Sequence, residues 1–203
     1  MGLLSGCWFS VGSQSKSLQL TIELEGVLGE NQEIMFTNSQ GQTFLVELHS
    51  GKAEGLDLGS GSWELIALSR SKEGSVTGHT PKPIIVRGGG ERIVRLDLVR
   101  TTHQSTEVRP HNLTHSLVAK GGLDLSWESA DTGEGTWELW SRPLDGKLWG
   151  KVTQVTSEER KLTYSELNHT HIYAIRFVPL KSTETIWASP LVRLPFGTLE
   201  LTW

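Results

Sequence analysis

The chain has 203 residues, enough for one large domain or for two domains of about 100 residues each. Its formal net charge is −4, and its basic residues are scattered along the sequence. A nucleic-acid-binding domain needs a basic patch or stripe, so we expect no nucleic acid among the partners. The single cysteine excludes an internal disulfide, and no apolar stretch approaches the roughly 20 residues of a membrane-spanning helix.

Residues 1–17 predict a tether that carries a possible lipidation site. Leu4-Ser5-Gly6-Cys7 resembles the lipobox of bacterial lipoproteins, in which the cysteine is lipidated after a signal peptide is cut just before it. Only six residues precede Cys7, fewer than a signal peptide requires, so either the natural start lies upstream or the match is due to chance. The Ser- and Gly-rich residues 10–17 are typical of a flexible spacer between an anchor and a folded domain.

Residues 18–100 predict a β-sandwich. Apolar and polar residues alternate over residues 18–24, which is typical of a half-buried strand. Asn38-Ser39-Gln40-Gly41 predicts a hairpin turn. Residues 83–86 and 93–98 predict a second, closing hairpin around three consecutive glycines, which tolerate almost any backbone angle.

A Gly-rich turn leads into Trp63-Glu64-Leu65-Ile66-Ala67. This segment resembles the leucine-x-x-Gly-x-Tyr-x-Leu pattern of prealbumin-like and carboxypeptidase-regulatory-like sandwiches. The resemblance implies that glycine permits a tight turn and that Trp63 fills the end of the core. Residues 101–115, which follow this domain, are polar, contain Pro110 and predict a linker or an extended lead-in strand.

Residues 116–194 carry ordered motifs that resemble a fibronectin type III domain. Residues 123–127, 137–142 and 173–178 resemble its second, third and penultimate strands, and residues 186–192 its last. The resemblance implies that Trp127 lies at the centre of the core. It also implies a tyrosine corner, in which Tyr173 donates its hydroxyl to the preceding loop.

The predicted fold is therefore all-β, with two tandem antiparallel β-sandwiches of the immunoglobulin-like or fibronectin type III-like kind. Residues 195–203 alternate again and predict an extra strand or a tail. No nucleophile elbow, phosphate-binding loop or zinc-protease motif is present, and the seven histidines do not complete a zinc-ligand pattern. We therefore expect no catalytic residue, no metal and no cofactor.

One candidate binding face combines Trp140, Trp149 and Arg176. Because Trp137 is expected to point into the core, alternation along the strand points Trp140 outward. The same alternation on the penultimate strand points Arg176 outward beside it, and Trp149 joins from the adjacent edge. One interpretation is a cation–π ladder, which contributes about 0.5–1 kcal/mol per pair. The other is an aromatic platform for a sugar ring or a partner protein.

These features predict a non-catalytic, extracytoplasmic lipoprotein of the bacterial cell envelope, membrane-anchored or at the cell surface. It would act as a structural, assembly or adhesion module through protein–protein contacts. The expected partners are other envelope proteins or polysaccharide, together with the membrane through a lipid on Cys7. The alternative is a carbohydrate-binding accessory module that uses the outward-facing tryptophans.

Overall fold

The structure is a computed structural model, and it describes residues 17–101, 108–118, 122–130, 133–168, 170–180 and 188–194. Within these ranges the chain is all-β, with fifteen strands and no helix. Accordingly, the described part of the chain contains no helix with the length and apolar character needed to cross a membrane. Cys7 and residues 195–203 lie outside the described residues, so their predicted roles stay predictions.

Eight strands form the first sandwich. They are β1 Leu18–Gly26, β2 Asn31–Asn38, β3 Thr43–Leu48, β4 Lys52–Leu58, β5 Gly61–Arg70, β6 Val76–His79, β7 Ile84–Gly88 and β8 Gly90–Arg100. One layer has the order β4-β1-β8, and the other contains β3, β2 and β5, with β6 and β7 both paired to β5. The two layers are joined where β6 pairs with β8.

The core of the first sandwich follows from the alternation of its strands. In β1, the apolar residues at every second position are buried and the polar ones between them are only half buried. Trp63 is also buried; its ring lies 5.8 Å from that of Phe44, and its Nε1 donates to the carbonyl oxygen of Gly59 at 2.8 Å. The predicted hairpin turn at Asn38–Gly41 joins β2 to β3, and Gly41 has a φ of 78°.

The predicted hairpin between residues 83–86 and 93–98 is wrong. β7 pairs with β5, whereas β8 pairs in parallel with β1 over nine positions, from Leu18 opposite Gly90 to Gly26 opposite Leu98. Gly88 and Gly90 have φ angles of 98° and 83°, which let the chain cross from one layer to the other instead of reversing. The partner of β8 lies some 70 residues away in sequence, so local patterning could not identify it.

Gly26 is expected to be much more sensitive to substitution than Gly41. Both have positive φ, at 89° and 78°, so alanine strains the backbone at either site, by about 1–2 kcal/mol. A Cβ at Gly26 would also press against the carbonyl oxygen of Leu98, whereas one at Gly41 has no described atom within 4 Å. Gly26→Ala should therefore lower the free energy of unfolding by about 1–3 kcal/mol more than Gly41→Ala, measured by urea denaturation. Equal losses would show that the contact with Leu98 relaxes at no cost.

Seven further strands form the second sandwich. They are β9 His111–Val118, β10 Gly122–Glu128, β11 Gly135–Pro143, β12 Trp149–Thr156, β13 Lys161–Tyr164, β14 His171–Pro179 and β15 Val192–Arg193. One layer has the order β13-β10-β9, and the other contains β15-β14-β11-β12. The second strand pairs with the first and fifth, and the third pairs with the sixth, as in immunoglobulin-like sandwiches.

Two boundaries of the second sandwich differ from the sequence predictions. β9 begins at His111, inside the stretch 101–115 predicted to be a linker or a lead-in strand. Residues 111–115 therefore belong to a strand. The last strand in the described residues is Val192–Arg193, and residues 186–187 of the predicted strand lie outside them.

Aromatic rings fill the core of the second sandwich. Trp127 and Phe177 both pack against Trp137, with ring centroids 5.3 and 5.2 Å from it. Tyr173 is buried, and its hydroxyl contacts the loop that precedes β14. The backbone N–H of Asn168 donates to the Tyr173 hydroxyl oxygen at 2.7 Å.

One sheet continues through both sandwiches. β12 of the second sandwich pairs with β3 of the first, with Trp149 opposite Leu45 and Gly150 opposite Phe44. Consequently the first two residues of β12, which would be an edge strand in an isolated sandwich, are paired with the first sandwich. This strand pair brings Trp149 of the second sandwich against Leu45 of the first.

Candidate functional site at the junction of the two sandwiches

The predicted exposed face of Trp140, Trp149 and Arg176 is buried in the structure. Their exposed fractions are 0%, 1% and 3%. The sequence correctly placed Trp140 beside Arg176, whose guanidinium carbon lies 4.3 Å from the centroid of its ring. The expectation of exposure was wrong because the first sandwich closes over this face.

A small apolar cluster, which we call the junction cluster, seals the two sandwiches together. It consists of Leu45 from the first sandwich and Trp140, Trp149 and Ala174 from the second. Its members lie on the faces of their strands that point away from the two sandwich cores. The tryptophans therefore contribute to the contact between the sandwiches and do not form a surface platform.

A buried carboxylate organises the polar side of the junction cluster. Oε2 of Glu138 accepts hydrogen bonds from Nε of Arg176 and Nε1 of Trp140, each at 3.0 Å. Its other oxygen lies 3.3 Å from Nζ of Lys151. Burial alone would raise the pKa of Glu138, but the two cations outweigh it and hold the pKa below its ordinary value of 4.5.

The lowered pKa of Glu138 predicts acid sensitivity. Because the pKa is lower in the folded state, the stabilisation is complete above pH 4.5 and is lost as the pH falls below 4.5 through the folded-state value. Glu138→Gln removes this titration while keeping an oxygen for Trp140. The difference in unfolding free energy between the native protein and Glu138→Gln should therefore shrink from pH 7 to pH 3 in urea denaturation. A constant difference would contradict the assignment to Glu138.

A second buried ion pair lies at the edge of the first sandwich and reaches the second. Nε of Arg70 lies 2.9 Å from Oε1 of Glu33, and Nη2 of Arg70 donates to the carbonyl oxygen of Ala188 at 2.6 Å. Arg70 and Glu33 are only 2% and 6% exposed. This arginine therefore links the end of β5 to the segment that precedes β15.

Further polar contacts cross the junction on its solvent-facing side. Oε2 of Glu47 accepts hydrogen bonds from Nε1 of Trp149 at 2.9 Å and from Nη2 of Arg193 at 3.2 Å. Nζ of Lys147 donates to the backbone carbonyl oxygen of Glu54 at 2.8 Å. Strand pairing, apolar packing and ion pairs thus hold the two sandwiches together.

A cleft of about 390 Å³ opens between the two sandwiches beside these contacts. Residues from β3, from the β3–β4 turn and β4, from residues 142–149 and from β15 line it. Its charged side chains are four cations and two carboxylates: Lys52, Arg142, Lys147, Arg193, Glu47 and Glu54. The cleft is therefore locally positive on a chain whose net charge is −4.

Sequence reasoning did not find this cleft, because its residues are spread from position 46 to position 193. Among the described residues, no group of three or more His, Cys, Asp or Glu side chains is placed to hold a metal ion. The charges of the cleft can bind an ionic or a polar ligand, and the junction cluster can hold the two sandwiches in one orientation.

The chain is similar to known proteins in structure but not in sequence. No protein-family model matches the sequence, and no curated protein matches it. A segment of two fibronectin type III domains from chicken tenascin is similar in structure, at 13% identity and a TM-score of 0.35, over 90% of this chain and 93% of that one. The FN1–FN3 domains of chicken CNTN1 are similar at 8% identity and a TM-score of 0.33, over 89% of this chain and 62% of that one.

Proposed function

We propose that the chain is a non-catalytic interaction module of the bacterial cell envelope, anchored through a lipid on Cys7. In this role it holds two β-sandwiches in a fixed relative orientation and presents them to other envelope proteins. The junction is the observation that carries the proposal. Large buried side chains, the hydrogen bond from Arg70 to Ala188, the ion pair of Glu47 with Arg193 and a shared sheet all join one sandwich to the other.

The sequence around Cys7 supports the location. Leu4-Ser5-Gly6-Cys7 has the residue types of a lipobox, and the polar residues that follow suit a spacer between a membrane and a folded module. The carbohydrate-binding alternative required exposed tryptophans at positions 140 and 149, and both are buried. It therefore loses the site on which it was based.

Metabolic labelling with an alkyne fatty acid tests the anchor. The gene is expressed in a bacterium with its native upstream sequence, and the native protein is compared with Cys7→Ser. We expect label in the native protein and its partition into the detergent phase, and neither in Cys7→Ser. An unlabelled native protein that stays in the aqueous phase would rule out the lipid anchor.

Affinity capture from native envelopes tests the interaction role. The full chain, crosslinked in intact cells, should recover defined envelope proteins. A variant that carries Trp149→Ala should recover them less well, because the orientation of the sandwiches is no longer fixed. Capture of the same proteins in the same amounts by both forms would contradict a role for the fixed orientation.

A further inference from the structure

We infer that the cleft between the sandwiches binds the carboxylate-bearing unit of an acidic saccharide, a hexuronate. Arg142 and Lys147 would hold its carboxylate. The inference concerns a ligand and goes beyond the proposed role in protein contacts. It does not depend on the anchor at Cys7.

Arg142 is held in place without having its charge neutralised. Its guanidinium carbon lies 5.2 Å from the centroid of the Trp149 ring. Its Nη1 donates to the carbonyl oxygens of Gly146 at 2.7 Å and Pro143 at 3.3 Å, and no described carboxylate forms an ion pair with it. Nε and Nη2 have no hydrogen-bond partner among the described residues. These two nitrogens form the edge of a guanidinium that pairs with both oxygens of a carboxylate.

Lys147 provides a second cation that is held by a backbone carbonyl oxygen and forms no ion pair with a described carboxylate. Its side chain is exposed, and its ammonium group donates to the backbone carbonyl oxygen of Glu54 at 2.8 Å. In the described part of the chain no carboxylate lies within ion-pair distance of it. An ammonium group has three donors, so two remain for a ligand. Arg142 and Lys147 thus give one side of the cleft a positive charge, and backbone carbonyl oxygens hold both side chains in place.

The rest of the cleft favours a saccharide over other anions. The carboxylates of Glu47 and Glu54 line the same space together with Ser50 and His49, so acceptors lie beside the cations. Sugar hydroxyls are donors and acceptors together, so they can pair with these carboxylates, which Lys52 and Arg193 already balance, while the carboxylate of the hexuronate meets Arg142 and Lys147. Inorganic phosphate would use the cations alone. A cleft of about 390 Å³ lies within the range of small-ligand sites, about 300–1,000 Å³.

Calorimetric titration of the full chain with digalacturonate tests the inference. The neutral disaccharide of galactose, an acidic peptide and inorganic phosphate serve as comparison ligands. We expect saturable binding of digalacturonate that weakens as salt is raised, and no binding of the neutral sugar. Arg142→Gln and Lys147→Gln should each weaken binding by about tenfold, the effect of losing one charged hydrogen bond.

Lys161→Gln is the matched control, since it removes an exposed positive charge from β13, on the far layer of the second sandwich. It should bind digalacturonate as the native protein does. If Arg142→Gln fails to fold, as judged by its thermal melt, Lys147→Gln decides the outcome because its side chain is exposed. Absence of digalacturonate binding, or equal loss in Lys161→Gln, would overturn the site. Equal or tighter binding of the peptide or of phosphate would overturn the assignment to a saccharide.

Discussion

Replacing Arg176 by methionine is expected to lower the free energy of unfolding by about 3–5 kcal/mol. The substitution removes the buried cation that lies 3.0 Å from the Glu138 carboxylate and leaves it with Lys151, whose side chain is partly exposed, and a buried carboxylate that loses its buried partner is costly. Methionine keeps most of the apolar volume beside Trp140, so the loss reports on charge more than on packing. Urea denaturation at pH 7, followed by tryptophan fluorescence, measures it.

A double variant separates charge from packing. Glu138→Gln in the Arg176→Met background removes the charge of the buried carboxylate but leaves a side-chain oxygen for Nε1 of Trp140. Because uncharged replacements of a buried pair are often nearly neutral, most of the lost stability should return. A double variant as unstable as Arg176→Met alone would show that the arginine acts mainly through its stacking on Trp140.

Replacing Trp149 by alanine is expected to cost about 3–5 kcal/mol and to uncouple the two sandwiches. The indole fills the junction cluster, donates to Glu47 across the junction and stacks with Arg142. Calorimetry should show one melting transition for the native protein and two for Trp149→Ala. Small-angle X-ray scattering should show a broader distribution of overall dimensions.

Trp127→Ala is the matched control for this uncoupling. Trp127 is equally aromatic and is 3% exposed, but it lies within the core of the second sandwich. Its loss should destabilise that sandwich and leave the scattering of the folded protein unchanged. If both variants broaden the dimensions alike, the effect of Trp149→Ala reflects general instability and the junction cluster does not set the orientation.

Local patterning was enough to predict the faces of most strands. The alternation that assigned Trp137 to a core and Trp140 to the opposite face reflects strand geometry, which depends only on neighbouring residues. Whether that opposite face meets water depends on what covers it. Leu45 and Glu47 lie about 100 residues away in sequence, and nothing in the strand that carries Trp140 indicates them.

The pairing of β8 with β1 and the cleft could not be predicted, because both join residues that are far apart in sequence. The glycines at 88–90 allow the chain either to reverse or to cross between layers. It crosses because β8 pairs with the edge of β1, which is distant in sequence. The cleft exists because β12 pairs with β3 and brings Arg142 and Lys147 next to β4. Local sequence patterns do not reveal a site whose residues come together only where the two sandwiches pack.

The parallel pairing of β1 with β8 has a mechanical consequence. β1 begins at Leu18, directly after the residues predicted to form a tether, and β8 ends at Arg100, where the chain leaves for the second sandwich. A pull between these two points loads the two strands in shear, so that all nine positions of the pairing resist together and none can be peeled away singly. If the chain is held at its amino terminus, as proposed, and loaded through its second half, the pairing of β1 with β8 opposes the tension in shear.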